Sequence, residues 1–255
     1  MVSREYLLET RKSLIDRSLN YGRPLIRKFL EEAGPLASVL DMGAGSGDDL
    51  QIARDLNPKA KLYAVDNLPA AMRNLRNRGI QVLPLDIERD RLPLKDASID
   101  AVIQNQILEH AKELFWILHE ATRVLKVGGS LIVGIPNLAS LHNRFLLACG
   151  RSPTVIKTLS AHVRGFTKHD FNVFIHDVWP GGYRLEGFGG ANFYPFPPFL
   201  AKPLAKLFST FSWGIFFRLV KRKPYKGEFL EYLRLNPFET NFYTGPKKSV
   251  KRGGR

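Results

Sequence analysis

Cysteine is nearly absent from this sequence of 255 residues, where Cys149 stands alone. An internal disulfide is thereby excluded, which fits a reducing compartment. Long apolar runs are missing as well, although 44% of the residues are hydrophobic. No stretch reaches the roughly 20 apolar residues that cross a bilayer as a helix. The opening Met1-Val2-Ser3-Arg4-Glu5-Tyr6 holds no secretory-type apolar segment, so a cytoplasmic location, or the inner face of a membrane, is expected. Acid is scarce: 24 Asp and Glu stand against 38 Lys and Arg, a net charge of +14. From Phe196 to Arg255 there are 13 Lys or Arg and only Glu228, Glu231 and Glu239, so most of the excess sits in the last quarter. Such a patch implies an anionic partner, whether membrane lipid, nucleic acid or a phosphorylated substrate, and charge alone does not choose among them.

Glycine, by contrast, is placed with care. Residues 39–50 read Val-Leu-Asp-Met-Gly-Ala-Gly-Ser-Gly-Asp-Asp-Leu, an apolar strand ending at Asp41 and then Gly43, Gly45 and Gly47 at alternate positions. A strand that runs through a glycine turn into a helix lets backbone approach a nucleotide-like cofactor, because glycine accepts positive φ and has no side chain to hold the ligand off. Dinucleotide loops read G-x-G-x-x-G and set a pyrophosphate on the helix N-terminus. Here the pattern is G-x-G-x-G followed by Asp48 and Asp49, two carboxylates that suit the helix dipole but repel a pyrophosphate. They do not oppose a cofactor bearing a sulfonium and an ammonium, as S-adenosylmethionine (SAM) does, and Asp41 could receive that ammonium. The stretch resembles the first motif of class I SAM-dependent methyltransferases, of the type 11/12-like kind that act on small or lipid-linked acceptors.

Downstream spacing extends the resemblance. Lys61–Asp66 reads as a second strand whose closing Asp66 lies where an acid takes ribose hydroxyls, and a carboxylate can accept from both at once; Asn67 follows and could assist. The strand Ile80–Leu85 closes at Asp86, which the family sets against the adenine amino group, with Ile87 packed on the ring. Ile99–Ile103 is the fourth strand. Strands separated by helices at regular intervals give a doubly wound sheet. The strand runs into Gln104-Asn105-Gln106-Ile107-Leu108-Glu109-His110, where the family presents the methyl group; Gln104 and Asn105 are candidates for the methionine part of the cofactor. No Asn/Asp-Pro-Pro-Tyr/Phe motif follows, which counts against nucleobase N-methylation, whereas Leu108-Glu109-His110 resembles the "LEH" of small-molecule enzymes. His110 is a candidate general base, since imidazole titrates near neutrality, or else a structural cap. Residues 111–125 form an amphipathic helix, and 123–137, RVLKVGGSLIVGIPN, resembles the family's next helix-turn-strand.

Past Asn137 the core pattern is interrupted by an acceptor-side insert and helix, 138–182. His162 and Arg164 lie in a segment resembling "H-x-R-x-F-T", making His162 a second base candidate and Arg164 an anion anchor, with a lead-in held by packing as the alternative. Thr167 is placed to cap a helix over Lys168–Val178. The N-terminal helices, 1–35 with a break at Tyr21-Gly22-Arg23-Pro24, lie over the cleft in the resembled family, and Tyr21 is a substrate candidate.

Tyr183–Tyr194 is expected as strand six and Glu239–Thr244 as strand seven, leaving an insert at 196–235. In it Leu204, Leu207, Phe208, Phe211, Ile215 and Leu219 fit one helical stripe between basic ends, as in a helix lying on a membrane through 200–223, or a lid or dimer face. The whole then reads as one domain over 1–245, with a SAM-binding core at 36–137 and a basic disordered tail at 246–255. The expected fold is α/β, a Rossmann-like doubly wound, seven-stranded, mostly parallel sheet with inserts after strand 5 and between strands 6 and 7. The expected activity is methyl transfer from SAM to a small or lipid-linked quinone-, lipid- or glycan-type acceptor. No metal is expected, nucleic acid is the less favoured partner, and the oligomeric state is open. The rivals are an RNA-directed methyltransferase and a SAM-binding partner subunit without catalysis.

Overall fold

A computed structural model of the protein describes residues 16–239 and 241–246. The first part of the expected N-terminal helix and the basic tail from 247 lie outside the described residues. A 3-10 turn over Arg17–Tyr21 ends at Gly22, which takes φ 54° and opens helix α1, Arg23–Glu32. The expected break is therefore present. Pro24 sits in the first turn, where no intrahelical partner is needed, and a Cβ on Gly22 would run into the Phe216 ring.

Strand β1, Ser38–Met42, leads through the glycine loop into α2, Asp48–Leu56; β2, Lys61–Val65, leads into α3, Pro69–Asn77; and β3 covers Gln81–Leu83. Then come β4, Ile99–Asn105, α4, Leu114–Val124, and β5, Leu125–Pro136. The sheet order is β3-β2-β1-β4-β5-β7-β6, with the first five strands parallel. Parallel strands are covered on both faces and read as apolar runs, as Val39, Leu40, Val102, Ile103, Leu131 and Val133 do here, all fully buried. One face packs on α1–α3 around Phe29, Leu50 and Leu75. The other packs on α4 and the later helices α6, Lys168–Val178, and α8, Glu228–Leu235, around Ile117, Phe171, Ile175 and Phe229. Strand order reverses between β1 and β4, and the carboxyl ends there form the crevice in which open α/β sheets bind ligands.

The insert after β5 holds α5, Leu141–Ala148, and α6. Thr167 caps α6 as expected, its hydroxyl accepting from Asp170 N–H at 3.1 Å. Strand β6 covers Tyr183–Ala191.

Two expectations about the last quarter are corrected. The seventh strand is β7, Gly214–Lys221, paired antiparallel with both β5 and β6; residues 241–244 carry no strand. The supposed helical stripe divides: α7 spans Pro198–Leu207, a 3-10 turn covers Ser209–Phe211, and the rest is β7. Within β7 the side chains alternate, Ile215, Phe217 and Leu219 joining one core and Phe216 the other. An apolar segment that buries both faces satisfies its backbone best between two partner strands. The aromatic half of the expected membrane helix is thus sheet interior.

Candidate functional site

The glycine loop turns on three left-handed residues, Gly43 (φ 87°), Gly45 (φ 50°) and Gly47 (φ 79°). A side chain on Gly43 would strike Ile107 at 2.7 Å and one on Gly47 would strike Leu75 at 2.6 Å, while the space over Gly45 is open. Asp66, at the end of β2, fastens the loop: its carboxylate accepts from Gly45 N–H and from Leu68 N–H, both at 2.8 Å. Two further lone pairs remain for a ligand hydroxyl pair.

Two cavities meet over this loop. One, of about 390 Å³, is lined by Asp66, Asn67, Asp86 and Ile87. The other, of about 530 Å³, is lined by Asp41, Asp49, Asn105, Glu109, His110 and His162, with Tyr21 and Trp213 at its rim. Gly43, Gly45, Gln106 and His110 belong to both. The second cavity is rich in carboxylate. Burial beside Asp49 and Asp66 holds the Asp41 carboxyl well above the usual range. Burial also raises Asp49, against the opposing pull of its bond from Asn105 (2.7 Å) and of Arg23. Glu109, only 2% exposed, is pushed up to about 8 by burial.

Buried polar atoms without a partner gather here: Asp49 Oδ1, Asn105 Oδ1, Gln106 Nε2 and Glu109 Oε2. Orphaned groups of this kind are costly unless something binds them. A ligand with an ammonium or sulfonium and a nucleoside fits this set: the cation against Asp41 and Asp49, the ribose against Asp66, the base against Asp86 and Ile87.

The two histidines are locked as a pair. His110 Nδ1 lies 3.3 Å from Ala161 O and His162 Nδ1 lies 2.7 Å from Val155 O. A carbonyl only accepts, so each Nδ1 carries a hydrogen toward it. The rings meet edge to face at 4.6 Å. Burial and the neighbouring His162 lower the His110 pKa, so the imidazole is neutral at pH 7. Glu109, His110 and His162 each bring a potential metal donor within 4.8 Å of the others.

Most sequence candidates converge on these cavities, and three do not; Gly47 lines neither, its Cα facing Leu75 of the core. Gln104 is fully buried, with Nε2 on Met42 Sδ at 3.4 Å, because strand alternation turns it away from the crevice that Asn105 faces. Arg164 lines neither cavity: Nε donates to Ala111 O at 3.1 Å and Nη2 to Lys112 O at 2.7 Å, bracing the turn that carries His110. Asp49, Gln106, Glu109 and Trp213 were not expected at the site. Gln106 takes φ 56°, which no residue pattern announces, whereas Glu109 stood in the quoted Leu-Glu-His and could have been weighed.

Comparison with known proteins agrees with this geometry. The family described as "Methyltransferase domain" matches residues 40–133. A Mycobacterium tuberculosis protein named "Probable S-adenosylmethionine-dependent methyltransferase" is 32% identical over 99 residues, 39% of this chain and 35% of its own. The mouse "Probable tRNA methyltransferase 9B" is 28% identical over 125 residues, 48% of this chain and 27% of its own. The chain thus spans about a third of the length of these curated relatives. Among solved structures, the plantazolicin methyltransferase BpumL in complex with S-adenosylhomocysteine superposes with a TM-score of 0.57 at 15% identity, covering 87% of this chain and 92% of that one.

Proposed function

We propose that the protein, whose residues 40–133 match the methyltransferase-domain family, moves the SAM methyl group to a small or lipid-linked metabolite of the quinone, lipid or glycan kind. One observation carries the reading of catalysis. A neutral imidazole, His110, stands where the two cavities join, its Nδ1 on Ala161 O and its Nε2 3.9 Å from Glu109 Oε1. Bound across the loop, SAM supplies a methyl group already activated by its sulfonium. The protein's own residues then do three things. Asp66 and Asp86 would hold the nucleoside, Asp41 and Asp49 the ammonium, and the loop thereby fixes the line of transfer, which is where most of the rate in such a reaction arises. His110 Nε2 takes the proton from an acceptor hydroxyl or amine as that atom forms its new bond. His162 keeps the neighbouring ring in place and presents a second acceptor for the proton.

The test offers the purified chain SAM labelled in its methyl group together with a lipid extract, a soluble metabolite extract or total tRNA. Label in the lipid or metabolite fraction is the expected result, and His110→Ala slows it by roughly 10²–10⁴-fold with SAM affinity unchanged. Label in tRNA would replace the acceptor reading with the RNA-directed one that the mouse relative favours. SAM binding with no transfer to any fraction would make the chain a partner subunit.

A further inference from the structure

A cavity of about 1000 Å³ takes no part in the chemistry above. It lies between α5, the loop 151–159 and Tyr194-Pro195-Phe196, lined by Leu141, Phe145, Leu146, Leu159 and Phe196, with Arg151 and Lys157 on its wall. Its apolar side chains are open to solvent: Leu159 is 99% exposed and Phe145 69%. The surface continues beyond the groove. His142 packs on Tyr194 at 4.9 Å, and the Arg144 guanidinium lies over the Phe211 ring at 4.9 Å, which joins α5 to the end of α7, where Leu207 and Phe208 are exposed. Exposed apolar side chains gathered around one groove are the kind of surface that a partner covers.

Charge narrows the partner. No Asp or Glu occurs between Glu120 and Asp170, and none between Glu186 and Glu228. These two windows supply every residue of the groove and its rim, and they carry Arg144, Arg151, Lys157, Lys202 and Lys206. Among the described residues, Asp16 lies close enough to Lys202 to feel its charge. A face made of protruding apolar side chains, basic residues and no acid complements an anionic amphiphile: the phosphates meet the cations and the chains meet the apolar groups.

We propose that this face docks on an anionic lipid membrane. Phe145 and Leu159 enter the headgroup boundary, Arg151 and Lys157 meet lipid phosphates, and the groove between α5 and 194–196 admits a lipid chain. The inference goes beyond methyl transfer and stands whether or not the acceptor is lipid-borne. It also moves the membrane contact away from Gly214–Lys221, which is a sheet strand.

The experiment is co-sedimentation of the full chain with phosphatidylcholine vesicles, with and without phosphatidylglycerol, with SAM affinity measured on the same samples as the check of folding. The expected result is binding that requires phosphatidylglycerol, falls with salt, and weakens at least tenfold both in Phe145→Ser/Leu159→Ser and in Arg151→Glu/Lys157→Glu. Both pairs are solvent-facing substitutions, so SAM affinity should hold. The proposal is overturned if the intact chain stays in the supernatant with phosphatidylglycerol vesicles. It is equally overturned if either double variant binds them as the intact chain does, since the basic tail would then account for the attraction. A dimer in light scattering that dissociates in Phe145→Ser/Leu159→Ser would assign the face to a second copy and overturn it as well.

Discussion

The cofactor cleft and the α5 groove are both concave, yet their chemistry is opposite. Around the glycine loop Asp41, Asp48, Asp49 and Glu109 crowd a cavity of about 530 Å³; the groove of about 1000 Å³ holds Arg151 and Lys157 and no carboxylate. The net charge of +14 conceals this division. A strongly basic protein has gathered carboxyl groups around the glycine loop and placed none on the lining of the α5 groove. Charge is therefore informative by region, since fields act within about a Debye length, ~8–10 Å at physiological salt.

The largest expected effect tests which aromatic residues belong to the groove face and which to the sheet. Phe216 and Phe217 are fully buried on opposite sides of β7. Truncating either to Ala should cost about 3–5 kcal/mol, against a total stability of roughly 5–15 kcal/mol. Circular dichroism in urea should find the double variant largely unfolded. Phe145→Ser, on the groove, should stay within about 0.5 kcal/mol of the parent. Equal losses at the two sites would erase the distinction between core and docking face.

Next comes the pH dependence of the acidic cleft. Burial lifts Glu109 from 4.5 to about 8, so between those values the folded chain keeps a proton that the unfolded chain has released. Stability from this group is complete below about pH 4.5 and is lost as pH rises through 8, by up to about 1.4 kcal/mol per unit. Asp41, also raised, acts in the same direction. Urea midpoints from pH 5 to 8 should fall less steeply in Glu109→Gln than in the parent; parallel slopes would mean that the buried carboxyl is ionised.

Asp66 sharpens the contrast from the ligand side. Asp66→Asn keeps one acceptor where the loop uses two, at Gly45 and Leu68, and loses charge toward a ribose. Calorimetry should show SAM binding weaker by about 10- to 100-fold, or roughly 1.4–2.8 kcal/mol. Arg151→Glu/Lys157→Glu should leave it unmoved. A SAM affinity that followed the groove charges would join the two surfaces into one site.

How much of this could be read beforehand differs between the same two regions. From β1 to β5 each glycine, strand-end acid and helix had a chemical reason for its place, and Asp41, Asp66, Asp86, Asn105 and His110 all reach the cleft. The last quarter was misread because Leu204 to Leu219 satisfies a helical period while Gly-Ile-Phe-Phe-Arg-Leu-Val is also a continuous apolar strand. Aromatic and branched residues in that run favour the strand; only pairing with β5 and β6 decides it. Gln104 went wrong for a simpler reason, since alternation along β4 admits Asn105 or its neighbour to the crevice, not both. The groove has no motif at all. It arises from residues some 50 apart meeting through tertiary packing.

Arg164 gives the smallest effect and the finest discrimination. Arg164 could serve an acceptor anion, or it could hold the His110 turn by its bonds to Ala111 O and Lys112 O. The carbonyls use its Nε and Nη2, and the bracing role follows from that geometry. Arg164→Ala should then lower stability by about 1–2 kcal/mol, a fall in Tm of roughly 2–8 °C for a chain of this size, with SAM affinity nearly unchanged. Arg164→Lys restores charge but not the paired geometry, so it should recover little of the lost stability. If Arg164→Lys instead melts like the parent, charge is what matters at this position, and the residue belongs with the basic groove and not with the frame of the acidic cleft.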